Sequence, residues 1–307
     1  MASVKDILIK KEINFMGVRK VAYVISGIVL LLSILSILVL GFNYGIDFAG
    51  GTLFQLSFEK NVDVGVAREV LDSFELGTSI IQQLSPNELL IRTKRIPTDE
   101  RRKIIQALED KFGKAELLRL EEVGPAIGAE LRKLAIYAII FAVIGILIYV
   151  AIRFDFKFSV VAVLPLLHDS LIVLGIFSLL HREINIPTVA AVLTIIGYSL
   201  NDTIVILDRI RENLKTAKRR NMEVLVNLSL NQTLSRTLNT SLTTLIPVVI
   251  LYFLGGAVLS NFALALFIGI IVGTYSSIFV ASALLVDWEK KSSQAHKKAI
   301  SKVRKKA

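Results

Sequence analysis

Residues 158–180 read FSVVAVLPLLHDSLIVLGIFSLL, and among these 23 positions His168 and Asp169 are the only ionisable residues. A helix that crosses the hydrocarbon core of a bilayer needs about 20 predominantly apolar residues. The sequence contains six such segments: Val21–Phe42, Leu134–Ile152, Phe158–Leu180, Ile186–Leu207, Thr237–Leu254 and Phe262–Val286. It therefore predicts a polytopic α-helical membrane protein with six transmembrane helices.

The composition of the 307 residues agrees with this class, because 53% are hydrophobic and only 20% are charged. The chain has no cysteine, which excludes a disulfide scaffold, a thiolate zinc site and a cysteine nucleophile. Three histidines (His168, His181 and His296) are too scattered to form a metal cage. We therefore expect no metal, no cofactor and no enzymatic activity, since a zinc-protease histidine spacing and a serine–base motif are both lacking.

The distribution of basic residues predicts the orientation in the membrane. Of the 36 lysines and arginines, 22 lie in the N-terminal segment, the loops after the second and fourth spans, and the C-terminal tail. Because cytoplasmic segments are enriched in these residues, both termini are expected in the cytoplasm. The predicted division is a cytoplasmic N-terminus (1–20), transmembrane helix 1 (21–42), an extracytoplasmic domain (43–133), a five-helix bundle (134–286) and a basic tail (287–307). We interpret the tail as a tether near anionic membrane lipid rather than as a nucleic-acid-binding segment.

The segment 43–133 is long enough for a small folded domain. Its patterns predict four strands and two helices: strands Thr52–Phe58, Ser79–Leu84, Glu88–Thr93 and Glu116–Val123, and helices Asp63–Phe74 and Thr98–Phe112. Asp63 and Thr98 are expected to cap the helices. Gly50-Gly51 indicates a turn rather than a nucleotide loop, because no Gly-Lys-Ser/Thr follows it. The order βαββαβ predicts an α+β ferredoxin-like domain.

Ionisable residues within a span are costly and therefore suggest function. His168 and Asp169 lie near the middle of the third span, where they could belong to a working polar network or to a hydrogen-bonded pair that fixes helix packing. In the fourth span, Thr194, Tyr198 and Asp202 share one helix face, and Asn201 lies beside them. Asp202 precedes the boundary residue Asp208 by six positions, which places it about 9 Å deep at 1.5 Å per residue.

The fifth span begins with a polar stripe of four residues that share a face: Arg236, Thr240, Thr243 and Pro247. Such a stripe indicates a water path or a polar seam, although Arg236 alone could extend to the lipid headgroups. Residues Met222–Leu234, before this span, are moderately amphipathic and are expected at the cytoplasmic interface.

Small residues recur at every fourth position of the sixth span: Ala265, Gly269, Gly273, Ser277 and Ala281. Because small residues allow helices to approach closely, we interpret this stripe as a packing surface.

Four motifs occur in order along the chain: GIDFAGGT at 45–52, VGPAIGAEL at 123–131, GYSLNDTIVILDRIREN at 197–213 and NQTLSRT at 231–237. Each resembles the signature of the SecF family at the matching place, and together they cover essentially the whole chain. The motif positions that carry the first two likenesses are Gly45, Asp47, Phe48, Gly50, Gly51, Thr52, Gly124 and Pro125. Members of this family are subunits of the bacterial SecD–SecF protein-export complex and resemble half of a proton-driven exporter of the resistance–nodulation–division superfamily.

The resemblance implies an inner-membrane translocase subunit that works with SecD, supplied in trans, and uses the proton gradient to assist preprotein export through and release from the SecYEG channel. Sodium is the alternative coupling ion, and YajC and YidC are further expected associates. The resemblance places Asp202 and Arg236 at membrane-embedded charged positions tied to proton flow. We predict that Asn201, Asp169, His168 and Thr240 belong to the same pathway. The competing hypothesis is a structural scaffold whose buried charges serve only assembly with SecD or the channel.

Overall fold

The structure is a computed structural model that describes residues 13–216 and 221–292. The beginning of the predicted cytoplasmic N-terminus and most of the predicted basic tail lie outside these residues. In chain order the elements are α1 (Arg19–Leu40), β1 (Asn43–Tyr44), α2 (Ile46–Ala49), β2 (Gly51–Phe58), α3 (Val64–Asp72), β3 (Ile80–Ser85), β4 (Glu88–Thr93), α4 (Thr98–Phe112), β5 (Ala115–Val123), α5 (Pro125–Arg153), α6 (Phe156–Leu179), β6 (Glu183–Ile184), α7 (Ile186–Thr216), α8 (Met222–Leu254) and α9 (Gly256–Ser276). A π-helical turn, Ser277–Ala281, follows α9, and the helix continues to residue 292.

Within the described ranges, six helices are long and apolar enough to cross a membrane, which confirms the predicted polytopic helical class. They are α1, α5, α6, α7, α8 and the helix that begins with α9. The fifth helix begins earlier than the predicted span Thr237–Leu254, because Met222–Leu234 is continuous with it. Asn221 caps α8 by accepting from the amide of Glu223, and no glycine or proline interrupts the helix before Pro247. The amphipathic segment is therefore the first part of one continuous helix.

The chain forms two compact units. The first, or membrane unit, comprises the described residues up to Phe42, Ile139–Arg182, and the described residues from Pro187 onward. The second comprises Asn43–Ala138 together with Glu183–Ile186.

The second unit contains a four-stranded antiparallel sheet in the order β3-β4-β2-β5. Strands β2 to β5 and helices α3 and α4 alternate along the chain as βαββαβ. Apolar residues of β2, β4 and the two helices form the main core: Phe54, Leu56, Phe58, Leu71, Leu89, Ile91, Ile104, Leu108 and Phe112. Asp63 caps α3 as predicted, since its Oδ1 accepts from the amides of Gly65 and Val66. The predicted cap at Thr98 is wrong, because Pro97 is the N-cap of α4 and Thr98 is its first helical residue.

The sequence patterns did not indicate β1, α2 or β6. These elements have two to four residues each, too few for a periodic pattern to emerge. β1 pairs in parallel with β6, with Asn43 opposite Glu183 and Tyr44 opposite Ile184. Glu183–Ile186, the last part of the connection and the first residue of α7, therefore belong to the second unit.

Small side chains of α1 allow it to pack in the membrane unit. Ser26, Ser33 and Ser36 are buried although the helix is otherwise largely apolar. The hydroxyl of Ser36 donates to that of Ser178 in α6, and the hydroxyl of Ser26 donates to Tyr275 in α9. These bonds satisfy hydroxyl groups that would be costly to bury alone.

Candidate proton pathway in the membrane helices

Asp169 joins three helices of the membrane unit. Its side chain is 1% exposed, and its Oδ2 atom accepts hydrogen bonds from the Ser199 hydroxyl of α7 at 2.6 Å and the Ser276 hydroxyl of α9 at 2.7 Å. Its Oδ1 atom lies 2.9 Å from Nδ1 of the adjacent His168. The His168 Nε2 atom is buried and has no hydrogen-bond partner among the described residues. Asp169 is therefore a well-supported buried acceptor at the meeting point of α6, α7 and α9.

Asp202 is equally buried and much less supported. It is 2% exposed, and its Oδ2 atom has no hydrogen-bond partner in the part of the chain that the structure describes. The Ser241 hydroxyl of α8 faces its carboxylate, and the Arg236 guanidinium acts on it electrostatically. The neighbouring hydroxyl of Tyr198, one turn earlier on α7, is also buried without a partner among the described residues. Two unpaired polar atoms therefore follow one another along this face of α7.

The polar stripe of α8 is not packed against α7. Arg236 and Thr243 are exposed, and Thr240 is half-buried. The hydroxyl of Thr240 donates to the backbone oxygen of Arg236 at 2.9 Å, so it is satisfied within its own helix. Asn201, predicted beside Asp202, is likewise exposed. The structure thus brings Ser241 rather than Thr240 to Asp202, and leaves the stripe uncovered by the described chain.

The serines that contact these carboxylates, Ser199, Ser241 and Ser276, were not predicted from the sequence. Ser199 binds Asp169 and lies three residues before Asp202 on the same helix, so α7 links the two carboxylates. Ser241 also exchanges a hydrogen bond with Thr274 of α9 at 2.7 Å. Of these serines only Ser199 lies within one helical turn of either carboxylate in the sequence, and Ser241 and Ser276 are brought in from other helices.

The small-residue stripe of α9 lies against α7. A Cβ atom added at Gly269 would be 2.4 Å from Cδ1 of Ile195, and one added at Gly273 would be 3.0 Å from Cβ of Ser199. The hydroxyls of Ser277 and Thr203 are 2.8 Å apart across the same interface. Larger residues at the glycine positions would push α9 away from α7, the helix that carries Asp202 and Ser199.

The motif residues at 45–52 and 124–125 all lie in the second unit and shape its turns. Gly50 and Gly51 have φ values of 75° and 137°, which disfavour any residue with a side chain. A Cβ atom at Gly50 would lie 2.9 Å from Cα of Pro125, so the two motifs pack directly on each other. Phe48 is buried, and the buried Thr52 hydroxyl accepts from the amide of Ile96. Gly45 is the N-cap of α2, Asp47 lies within α2, and Gly124 directly precedes α5.

Comparison with known proteins assigns the family. Residues 103–291 match the family described as "Protein export membrane protein SecD/SecF, C-terminal", and residues 35–62 match the SecD/SecF GG motif. The chain belongs to the SecD/SecF family. Among its relatives it is 47% identical over 289 residues to protein translocase subunit SecF of Calditerrivibrio nitroreducens, an alignment that covers 91% of this chain and 95% of that one. It is 44% identical over 299 residues to SecF of Desulfurispirillum indicum, covering 94% of this chain and 95% of the relative.

Larger SecDF proteins of the family match only in part. Protein translocase subunit SecDF of Thermus thermophilus is 47% identical over 301 residues, which are 94% of this chain and 40% of that protein. The crystal structure of SecDF from the same organism superposes with a TM-score of 0.85 at 46% identity, over 92% of this chain and 39% of the other. The chain thus spans about 40% of the SecDF relatives and matches their membrane helices.

Proposed function

We propose that the chain is a SecF-type subunit that works with SecD to convert the proton gradient into assistance for preprotein export through the SecYEG channel. Membership of the SecD/SecF family supports a role in protein export. The observation that carries the proton-coupled part is Asp202, a buried carboxylate with an unpaired Oδ2 atom in a membrane helix.

A buried carboxylate without a full set of donors is poorly stabilised when it is charged. Taking up a proton removes the charge. When the proton leaves again, the carboxylate that remains needs a hydrogen bond from a protein group or from a water molecule. Because the two forms differ in their interactions with Ser241 and Arg236, each favours a different arrangement of α7 and α8. A gradient that loads the proton from one side can therefore drive these helices between two states.

Two further features support this route. The Tyr198 hydroxyl on α7 and the Thr237 hydroxyl on α8 are buried without partners among the described residues, as expected of positions along a water path. The stripe of exposed Arg236 and Thr243 and half-buried Thr240 provides polar groups for a neighbouring subunit. We assign that neighbour as SecD, because SecDF of Thermus thermophilus carries both names on one chain and this chain matches 40% of it.

The proposal includes the location and the domain outside the membrane. The 22 basic residues on one side support cytoplasmic termini in an inner membrane and an extracytoplasmic 43–133 segment. The strand order β3-β4-β2-β5 with βαββαβ connectivity is the arrangement of a ferredoxin-like fold, and we assign the domain to that class.

A structural scaffold is the second candidate, and the observation that favours it is Asp169. Its three side-chain contacts hold α6, α7 and α9 together, which demonstrates that a buried carboxylate in this bundle can serve packing. On the scaffold hypothesis Asp202 would have the same use.

Export measured in membrane vesicles separates the two candidates. Vesicles contain the full chain with SecD and the channel, and release of a preprotein is followed with and without a proton gradient. The near-isosteric Asp202→Asn change removes the proton carrier and keeps the volume, so we expect assembly with SecD to persist and the gradient-dependent part of export to be lost. Asp208→Asn, six residues later on the same helix, is the matched control and should export as wild type.

Asp202→Glu retains a titratable group and should keep part of the activity. Gradient-dependent export at the wild-type rate from Asp202→Asn vesicles would reject the motor and leave the scaffold.

A further inference from the structure

Residues Glu183–Ile186, which lead into α7, make more contacts within the second unit than a simple loop needs. The two-residue strands β1 and β6 pair in parallel, and the amide of Gly45 extends the pairing by donating to the Ile184 oxygen at 2.9 Å. Ile184 is buried in this pairing, at 6% exposure. The α6–α7 connection is therefore held as a strand of the second unit.

Arg92, in the four-stranded sheet, binds both β1 and β6. It lies in β4 and its side chain is only 10% exposed. Its Nη1 atom forms an ion pair with Glu183 Oε1 at 2.9 Å and donates to the Tyr44 oxygen at 3.2 Å, while its Nη2 atom donates to Asn43 Oδ1 at 3.0 Å. One guanidinium thus binds both short strands. A planar group with donors on separate nitrogens suits this task, whereas a lysine carries all of its donors on one nitrogen.

Asp47 completes the attachment at the helix itself. Its Oδ2 atom accepts from the amide of Ile186, the first residue of α7, at 2.9 Å. The first amides of a helix have no partner within the helix, so a carboxylate at this point stabilises the helix end. The short helix α2 contains Asp47. Close packing of Gly50 against Pro125 and of Gly128 against Phe48 keeps this helix in place.

We propose that these contacts form a clasp, made of β1, β6, Asp47, Arg92 and Glu183, that stays closed during transport and couples the second unit to α7. Arg92 and Glu183 are its positioning residues. This proposal rests on the proposed export function. It adds that the clasp transmits the proton-driven movement of α7 to the second unit.

Helix α7 connects Asp202 to the clasp without a break. α7 is one continuous helix from Ile186 to Thr216, and Asp202 lies sixteen residues after Ile186. At 1.5 Å per residue this is about 24 Å of one continuous helix. A shift of α7 that follows protonation of Asp202 is then carried to Ile186, and through the closed clasp to the sheet that contains Arg92.

A reversible cross-link tests whether the clasp stays closed. Tyr44 and Ile184 are directly opposite in the parallel pair, a spacing suited to a disulfide, and the chain has no native cysteine. In the full complex, the oxidised Tyr44→Cys/Ile184→Cys variant should export at the rate of its own reduced form. If oxidation stops export and a reductant restores it, the clasp has to open and the proposal fails.

Charge reversal tests whether the clasp is needed. Arg92→Glu and Glu183→Arg each place like charges together, so gradient-dependent export should fall to the level seen without a gradient. The double variant restores the ion pair and should recover part of the export. The matched control is Arg95→Glu in the exposed pair of Arg95 and Glu122, whose 2.7 Å hydrogen bond lowers the pKa of Glu122. This control should export as wild type.

Hydrogen exchange at the Ile186 amide gives a readout that does not depend on export. It should remain slow in the wild type with and without a gradient, and become faster in Arg92→Glu. If single reversals export as wild type while Asp202→Asn does not, the clasp is wrong and the proton site stands. If the gradient has no effect on wild-type export, the proposed function fails, and faster Ile186 exchange on energising the membrane would still overturn the closed clasp.

Discussion

The surroundings of Asp169 and Asp202 differ although both carboxylates are almost fully buried. Asp169 has two hydroxyl donors and an imidazole, and these come from its own helix and two others. Asp202 has an oxygen atom without a hydrogen-bond partner among the described residues, and faces a helix that is itself mostly uncovered. The helices differ in how much of their most apolar stretch is buried. This share is 61% in α6, 50% in α7 and 56% in the helix that begins with α9, but only 17% in α8.

This difference indicates a division of labour. A carboxylate with a complete set of donors fixes the positions of the helices that supply them, and changing its charge would disturb all three helices. A carboxylate with an open position can gain and lose a proton with a smaller rearrangement. We therefore propose that Asp169 holds the helices in place and that Asp202 carries the proton.

The largest expected effect is on stability at Asp169. Asp169→Ala leaves the hydroxyls of Ser199 and Ser276 buried without their acceptor, so we expect the free energy of unfolding to fall by about 3 kcal/mol. Asp202→Ala should lower it by less than about 1 kcal/mol, because the carboxylate has fewer partners to lose. Thermal unfolding of the full chain, purified with SecD in detergent, measures both. Equal losses would remove the distinction between the two sites.

A smaller loss of stability is expected at the contact between α1 and α6. A Cβ atom at Gly175 of α6 would lie 2.5 Å from the backbone Cα of Ser33 in α1, so Gly175→Ala must push the helices apart. We expect a loss of about 2 kcal/mol in the same measurement. Gly145 on α5 is the matched position with nothing within 4 Å, and Gly145→Ala should be neutral or slightly stabilising. Comparable losses for the two alanines would contradict the packing described for α1 and α6.

Most of the fold followed from patterns in the sequence. The six spans, the four strands β2 to β5 and the cap at Asp63 depend on periodicity and local hydrogen bonding, which neighbouring residues express. The clasp could not be found this way. Arg92 and Glu183 are 91 positions apart, and β1 and β6 are too short to produce a pattern.

The candidate site was predictable in part for the same reason. A charge inside an apolar span is visible in the sequence, so Asp169 and Asp202 were both selected. Their different partners were not visible, since Ser199, Ser241 and Ser276 are brought to them by helix packing. The orientation of α8, which turns Ser241 rather than Thr240 toward Asp202, likewise depends on tertiary contacts that helix periodicity does not specify.

Infrared difference spectroscopy of the membrane-embedded complex tests the proton-carrying role of Asp202 most directly. A pH change across the membrane should produce the C=O stretch of a newly protonated carboxylic acid in the wild type and in Asp208→Asn. That band should be absent in Asp202→Asn, while the variant remains folded and bound to SecD. A carboxylic acid band that persists unchanged in Asp202→Asn would show that another group takes up the proton, and would contradict the assignment.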